Sequence, residues 1–133
     1  MNYNKKKISI FNLFAYEMHK KKIAWIVTGG LNDFPIKIGR DLDIIVKDYD
    51  NHKNTKKIYI NCLKKFGIKK IVVKKSFYGE IIFAYDSKLN YYELHLCKNK
   101  IRSGYFSIKP DWNKLCKIGN FYIDPACYIF KNN

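Results

Sequence analysis

The stretch VTGGLNDFPIKIGRDLDIIV, residues 27–46, restricts the fold more than any other part of the chain. It joins two apolar, β-branched runs, IAWIVTG (23–29) and DLDIIVK (41–47), each the length of a buried strand. The connection over 29–39 holds two adjacent glycines and a proline, with room for a short helix after the glycines. In a strand, residues i and i+2 point to the same face. Asp41 and Asp43 therefore project side by side, and Leu42 and Ile44 point the other way. Two ionised carboxylates so placed repel, and burial raises their pKa values.

Two arrangements would make the pair favourable. A hard divalent cation does so, since Mg²⁺ is held by one or two carboxylates plus substrate phosphates. Alternatively both aspartates lie at an exposed strand start, bonded to Arg40 and Lys37. Gly29 and Gly30 are open in the same way. Bare amides at a strand end can cradle a phosphate, or they can form a plain turn. A phosphate-binding G-x-x-x-x-G-K-[ST] loop and a dinucleotide-binding G-x-G-x-x-G fingerprint are both absent from the sequence.

The rest of the chain sets this stretch in one domain, 1–133, and 47% hydrophobic residues suffice for a core. Phe11, Phe14, Ala15 and Met18 recur at helical spacing and predict a helix over roughly 7–21 that lies on the core rather than on a membrane surface. Asp48 or Asp50 caps a second helix through about Phe66, with Gly67 ending it. Its apolar stripe holds Ile58, Cys62, Leu63 and Phe66. IKKIVVKK (68–75) reads as a third strand. FYGEIIFAYD and LNYYELHLCK read as a hairpin around DSK. SGYFSI predicts one short strand, DWNKLCKI a short helix and PACYIF another. The expectation is an α/β (α+β) domain: a small mixed β-sheet with helices packed on it.

The net charge of +15 invites a nucleic-acid partner. Only Arg40 and Arg102 among the 26 basic residues are arginine, and the lysines are spread along the whole chain. Abundant Lys, Asn, Ile and Tyr together are the usage of an AT-rich genome, so nucleic acid is not favoured. Cys62, Cys97, Cys116 and Cys127 form no C-x-x-C pair and complete no zinc pattern with His19, His52 and His95. They read as reduced core residues of a cytoplasmic protein. The basic-then-apolar N-terminus does not read as a signal peptide, and no apolar run is long enough to span a membrane.

An apolar strand, Gly-Gly, ten residues, then Asp-Leu-Asp on the next strand resembles the signature of the DNA polymerase β-like nucleotidyltransferase superfamily. The likeness is closer to small nucleotidyltransferase-like proteins of bacterial surface-polysaccharide clusters, in which Gly-Arg-Asp-hydrophobic-Asp follows a proline-bearing loop. It covers 23–47 well, and 48–97 through the order of elements only. It implies Mg²⁺ (or Mn²⁺) on Asp41 and Asp43, and nucleotide phosphates at Gly29 and Gly30, with Lys37 or Arg40 offsetting their charge. It also implies a third acidic ligand on a later strand. Glu93, in NYYELHLC, is the candidate for ligand and general base, and Glu80 is the weaker one. His95 shares the face of Glu93, as a lining residue or as a satisfied, partly buried histidine. Three departures matter: Gly30 replaces the frequent serine, Arg40 stands where many members carry a small residue, and most members carry a further C-terminal domain. A minimal enzyme, a part of a longer chain and half of a homodimer all fit.

Three functions follow. The first is a metal-dependent nucleotidyltransferase that moves a nucleoside monophosphate from an NTP to a hydroxyl or phosphate of a small-molecule or sugar acceptor. The second is a binding module of the same fold for nucleotide or sugar phosphate, without turnover. The third is a basic nucleic-acid-binding protein.

Overall fold

In the computed structural model, which describes residues 1–103 and 105–132, the first helix begins at its cap. The Asn2 side chain accepts a hydrogen bond from the Lys5 amide at 2.8 Å and starts α1, Tyr3–Lys20. The apolar periodicity places the start later because the first turn is polar. Ile10, Phe11, Phe14, Ala15 and Met18 are all fully buried along one face of α1. Each large side chain of that stripe contributes about 1.5–3 kcal/mol by leaving water.

The strands that follow are β1 (Trp25–Gly29), β2 (Asp41–Val46), β3 (Lys70–Ser76), β4 (Gly79–Tyr85) and β5 (Glu93–Cys97). They form one mixed sheet in the order β1-β2-β5-β4-β3. Only β2 and β5 run parallel; the other neighbours are antiparallel. The crossover between β2 and β5 carries a 3₁₀ turn at Tyr49–Asn51, α2 (His52–Lys65) and the β3–β4 hairpin. Helix α2 starts without a side-chain cap from Asp48, and Gly67 follows its end at φ +78°. The 29–39 connection is a run of turns with no helix in it, and its Phe34–Pro35 peptide is cis.

The alternation of β2 and β5 sorts their side chains by face. Leu42, Ile44, Tyr92, Leu94 and Leu96 are 1% exposed or less and meet α1 and α2 in the main core. Ile45 lies on the opposite face, in a second apolar cluster with Ile26, Ile101 and Cys127. That face is covered at one end by β6 (Ile101–Ser103), β7 (Phe106–Ile108) and α3 (Pro125–Asn132). Asp124 starts α3 by accepting from the Ala126 amide at 3.0 Å.

Two expectations are corrected here. DWNKLCKI is not a helix: Cys116–Ile118 forms β8, paired antiparallel with β9, Phe121–Ile123. Gly119, at φ +58°, makes the turn between them, the left-handed position where glycine is tolerated best. Cys116 is exposed rather than a core residue, while Cys62 and Cys127 are buried and Cys97 is half-buried; all four are free thiols. The short strand expected in SGYFSI is present as β7, which pairs with β6 just before it; Gly104 of that stretch lies outside the described residues. No helix among the described residues is long and apolar enough to cross a membrane.

Candidate active site

Parallel pairing of β2 with β5 sets Asp41 opposite Glu93 and Asp43 opposite His95, all on the face away from α1 and α2. Four polar side chains thus meet on two adjacent strands. His95 is at their centre: its Nδ1 lies 3.2 Å from Asp41 Oδ2 and 3.1 Å from Asp43 Oδ1. On the other side of the ring, Nε2 lies 3.3 Å from Glu93 Oε2. Lys131, from α3, brings its ammonium to 2.7 Å from Asp43 Oδ2. Arg40 reaches Glu93 rather than the aspartates, with Nε at 3.7 Å from Oε1. That oxygen is buried and has no hydrogen bond.

The two aspartates are electrostatically unlike. Burial, together with the neighbouring Asp43 carboxylate, raises the Asp41 carboxyl to about 6. Burial also disfavours the charged form of Asp43, but His95 and Lys131 outweigh it and hold this carboxyl well below the ordinary range. His95 is shifted up, first by its hydrogen bond to Asp43 and against its own partial burial. A carboxylate pair with one member kept ionised and the other easily protonated is a common way to divide roles within a site.

The glycine turn is built from close backbone approaches. Gly30 has φ +106°, and a Cβ there would lie 2.5 Å from the Asp41 carbonyl oxygen. At Gly29 an added Cβ would lie 2.6 Å from Asp43 Oδ2, so any side chain would strike the carboxylate. The Gly39 amide donates to the Gly30 carbonyl at 2.9 Å and closes the loop. Helix α3 covers the turn. Tyr128 Oη accepts from the Leu31 amide at 2.9 Å, and the Asn132 side-chain amide donates to the Thr28 carbonyl at 3.0 Å.

Of the residues singled out from the sequence, Asp41, Asp43, Glu93, Gly29 and Gly30 therefore come together, and Arg40 borders them. Lys37 is paired with Asp33 at 3.8 Å and lies with its side chain 54% exposed. Glu80 points to the opposite face, where Lys56 Nζ holds it at 2.8 Å. Lys131, Tyr128 and Lys7 were not legible as site residues. Lys7 is buried on α1, donates to the Gly39 carbonyl at 3.1 Å and so ties the loop before Asp41 to the helix.

Asp41, Asp43 and His95 each offer one ligand atom, all within 4.8 Å of one another. Two carboxylates and an imidazole are a donor set for a divalent cation, and the histidine favours Mn²⁺ over Mg²⁺. Glu93 lies outside that set. It reaches the group through Nε2 of His95, the place from which a carboxylate orients a ligating histidine. A cation bound here would have to displace Lys131 and the proton of His95.

Among solved structures the chain is similar to the solution structure of the antibiotic-resistance factor ANT(2'')-Ia, at 7% sequence identity and a TM-score of 0.47. The alignment covers 90% of this chain and 62% of that one, so this chain spans about three fifths of that protein's length. No protein-family model and no curated protein matches the chain.

Proposed function

We propose that residues 1–133 form a single minimal nucleotidyltransferase domain that uses a divalent metal, Mg²⁺ or Mn²⁺, to transfer a nucleoside monophosphate from an NTP to a small acceptor. The observation that carries this reading is the convergence of Asp41, Asp43 and His95 within 4.8 Å beside the Gly29–Gly30 turn. Asp41, Asp43 and His95 would hold the cation, and Glu93 would fix the His95 ring. The cation, when bound, supplies neutralisation of the phosphate charge that builds up during transfer. The chain's residues do the rest. The turn at Gly29 and Gly30 borders the cation site and would face the phosphates, and Arg40 offsets their charge at the rim. The acceptor oxygen bonds to the α-phosphorus as the bond from that phosphorus to the pyrophosphate breaks. Pyrophosphate leaves with the electron pair. If the acceptor is a hydroxyl, its proton passes to water on the side of Asp41, whose side chain is 29% exposed against 12% for Asp43.

The resemblance to proteins of surface-polysaccharide clusters supports a sugar-type acceptor and a cytoplasmic site of action. A second reading, a binding module without turnover, is favoured by one observation: Lys131 and His95 satisfy the aspartates while α3 covers the glycine turn. Release of pyrophosphate from each NTP with Mg²⁺ or Mn²⁺, followed by mass analysis of the products, separates the two. Product that Asp43→Asn abolishes supports the enzyme. Metal-dependent NTP binding with no product from any NTP supports the module.

A further inference from the structure

Beside the aspartates the sheet face opens into a cavity of about 570 Å³. Its floor is formed by β4 and β5, with Ile81 in register with His95. Thr28, Asp43, Lys131, Tyr78, Lys100 and Arg102 also line it. The volume lies within the roughly 300–1,000 Å³ of small-molecule sites.

Asp43 gives this cavity one negative group, and Lys100, Arg102 and Lys131 give it three positive ones. Among the described residues, neither Lys100 nor Arg102 has a carboxylate within 4.0 Å. Glu80 also lines the cavity, and its carboxylate is paired with Lys56 at 2.8 Å. The Arg102 guanidinium lies 5.5 Å from the centre of the Tyr78 ring, and stacking of that kind leaves its N–H edge free. Arginine offers a planar fork to phosphate, and lysine adds a second point charge. Two unpaired cations match a dianion better than a single carboxylate.

The cavity runs from Thr28, next to the glycine turn on β1, and Asp43 on β2 across to β5 and β4. Lys100 and Arg102 lie beyond β5 in the chain, away from the turn. A nucleotide with its phosphates at the turn leaves this half of the face free. We propose that the cavity is the acceptor site and that it takes a small phosphomonoester built on a ring, a hexose or pentose phosphate. Its phosphate is held by Lys100 and Arg102, its ring lies against Tyr78 and Ile81, and its reacting oxygen is at the Asp43 end. The term acceptor rests on the nucleotidyltransferase reading; the anion site rests on the cavity alone.

Calorimetric titration of the full chain without NTP or metal tests the site. The probes are glucose 1-phosphate, ribose 5-phosphate, free glucose and inorganic phosphate. At least one sugar phosphate is expected to bind at least tenfold tighter than glucose and than inorganic phosphate. The double variant Lys100→Gln, Arg102→Gln should lose at least tenfold of that affinity, and Lys100→Arg should keep it, with unchanged circular dichroism in both. Equal affinity for glucose and glucose 1-phosphate, or full affinity in the double variant, overturns the inference. So does competition between ATP and the sugar phosphate in the presence of Mg²⁺, because the nucleotide would then own the cavity. If the sugar phosphate binds as described but no NTP binds with metal, the anion site stands and the nucleotidyltransferase reading falls.

Discussion

Replacing Lys131 by glutamine removes the ammonium that neutralises Asp43 and blocks the place a metal would take. The contact is short, 2.7 Å, between side chains 29% and 12% exposed. Exposed pairs are worth about 0–1 kcal/mol, and removing one partner of a fully buried pair costs about 3–5 kcal/mol. This pair lies between those limits. His95 remains 3.1 Å from Asp43 and takes up part of the loss. A destabilisation of about 1–2 kcal/mol follows, which in a chain of this size lowers Tm by about 3–10 °C. Divalent binding should change in the opposite direction. A unit charge about 4 Å away, at an effective dielectric constant of about 20, contributes several kcal/mol before solvent screening. A gain of at least about tenfold in Mn²⁺ affinity is therefore expected, equivalent to about 1.4 kcal/mol. Thermal unfolding in EDTA and Mn²⁺ titration by electron paramagnetic resonance read the two effects separately. A lower Tm with unchanged or weaker Mn²⁺ binding would refute the competition and leave Lys131 as a strut between α3 and the sheet.

Metal-free stability should fall as pH rises from about 4 to 6 through Asp41 and further above about 6.5 through His95, because both have raised folded-state values. Their stabilising protonation is complete below the unfolded values and is lost as pH rises through the folded ones, about 6 for Asp41. His95→Asn should flatten that slope in thermal melts; an unchanged slope excludes His95 as the group responsible. Mn²⁺ affinity should rise over the same range, since ligation needs the neutral imidazole. Gly30→Val should destabilise the fold by about 2–4 kcal/mol, the scale of strain plus a backbone clash, and should weaken NTP binding more than nucleoside binding; equal losses would make the turn purely structural. Glu93→Gln should leave NTP binding within a few-fold and lower transfer by roughly ten- to a hundredfold, the scale of a lost carboxylate that orients a ligating histidine. Unaltered transfer would remove Glu93 from the site.

The face assignments were legible because period-two alternation is strict where one face is buried. Tyr92, Leu94 and Leu96 are fully buried, and Glu93 and His95 lie on the other side with Asp41 and Asp43. The central role of His95 was less legible. It depends on the parallel register of β2 with β5, which is set by a crossover through more than forty intervening residues. Lys131 could not be found at all: nothing in sequence separates it from the other lysines, and its place depends on how α3 docks. The β8–β9 hairpin did carry a signal. Gly119-Asn120 stands between two apolar runs, a two-residue hairpin pattern that outranks the weak helical spacing of DWNKLCKI.

Calorimetric titration of each NTP with and without Mg²⁺, on the wild-type chain and on the Asp41→Asn, Asp43→Asn variant, tests the central claim most directly. Binding of at least one NTP should require the metal, and the double variant should lose it while keeping its circular dichroism spectrum. Metal-independent binding, or metal-dependent binding that survives in the folded double variant, would contradict the assignment of Asp41 and Asp43 as the metal-holding pair.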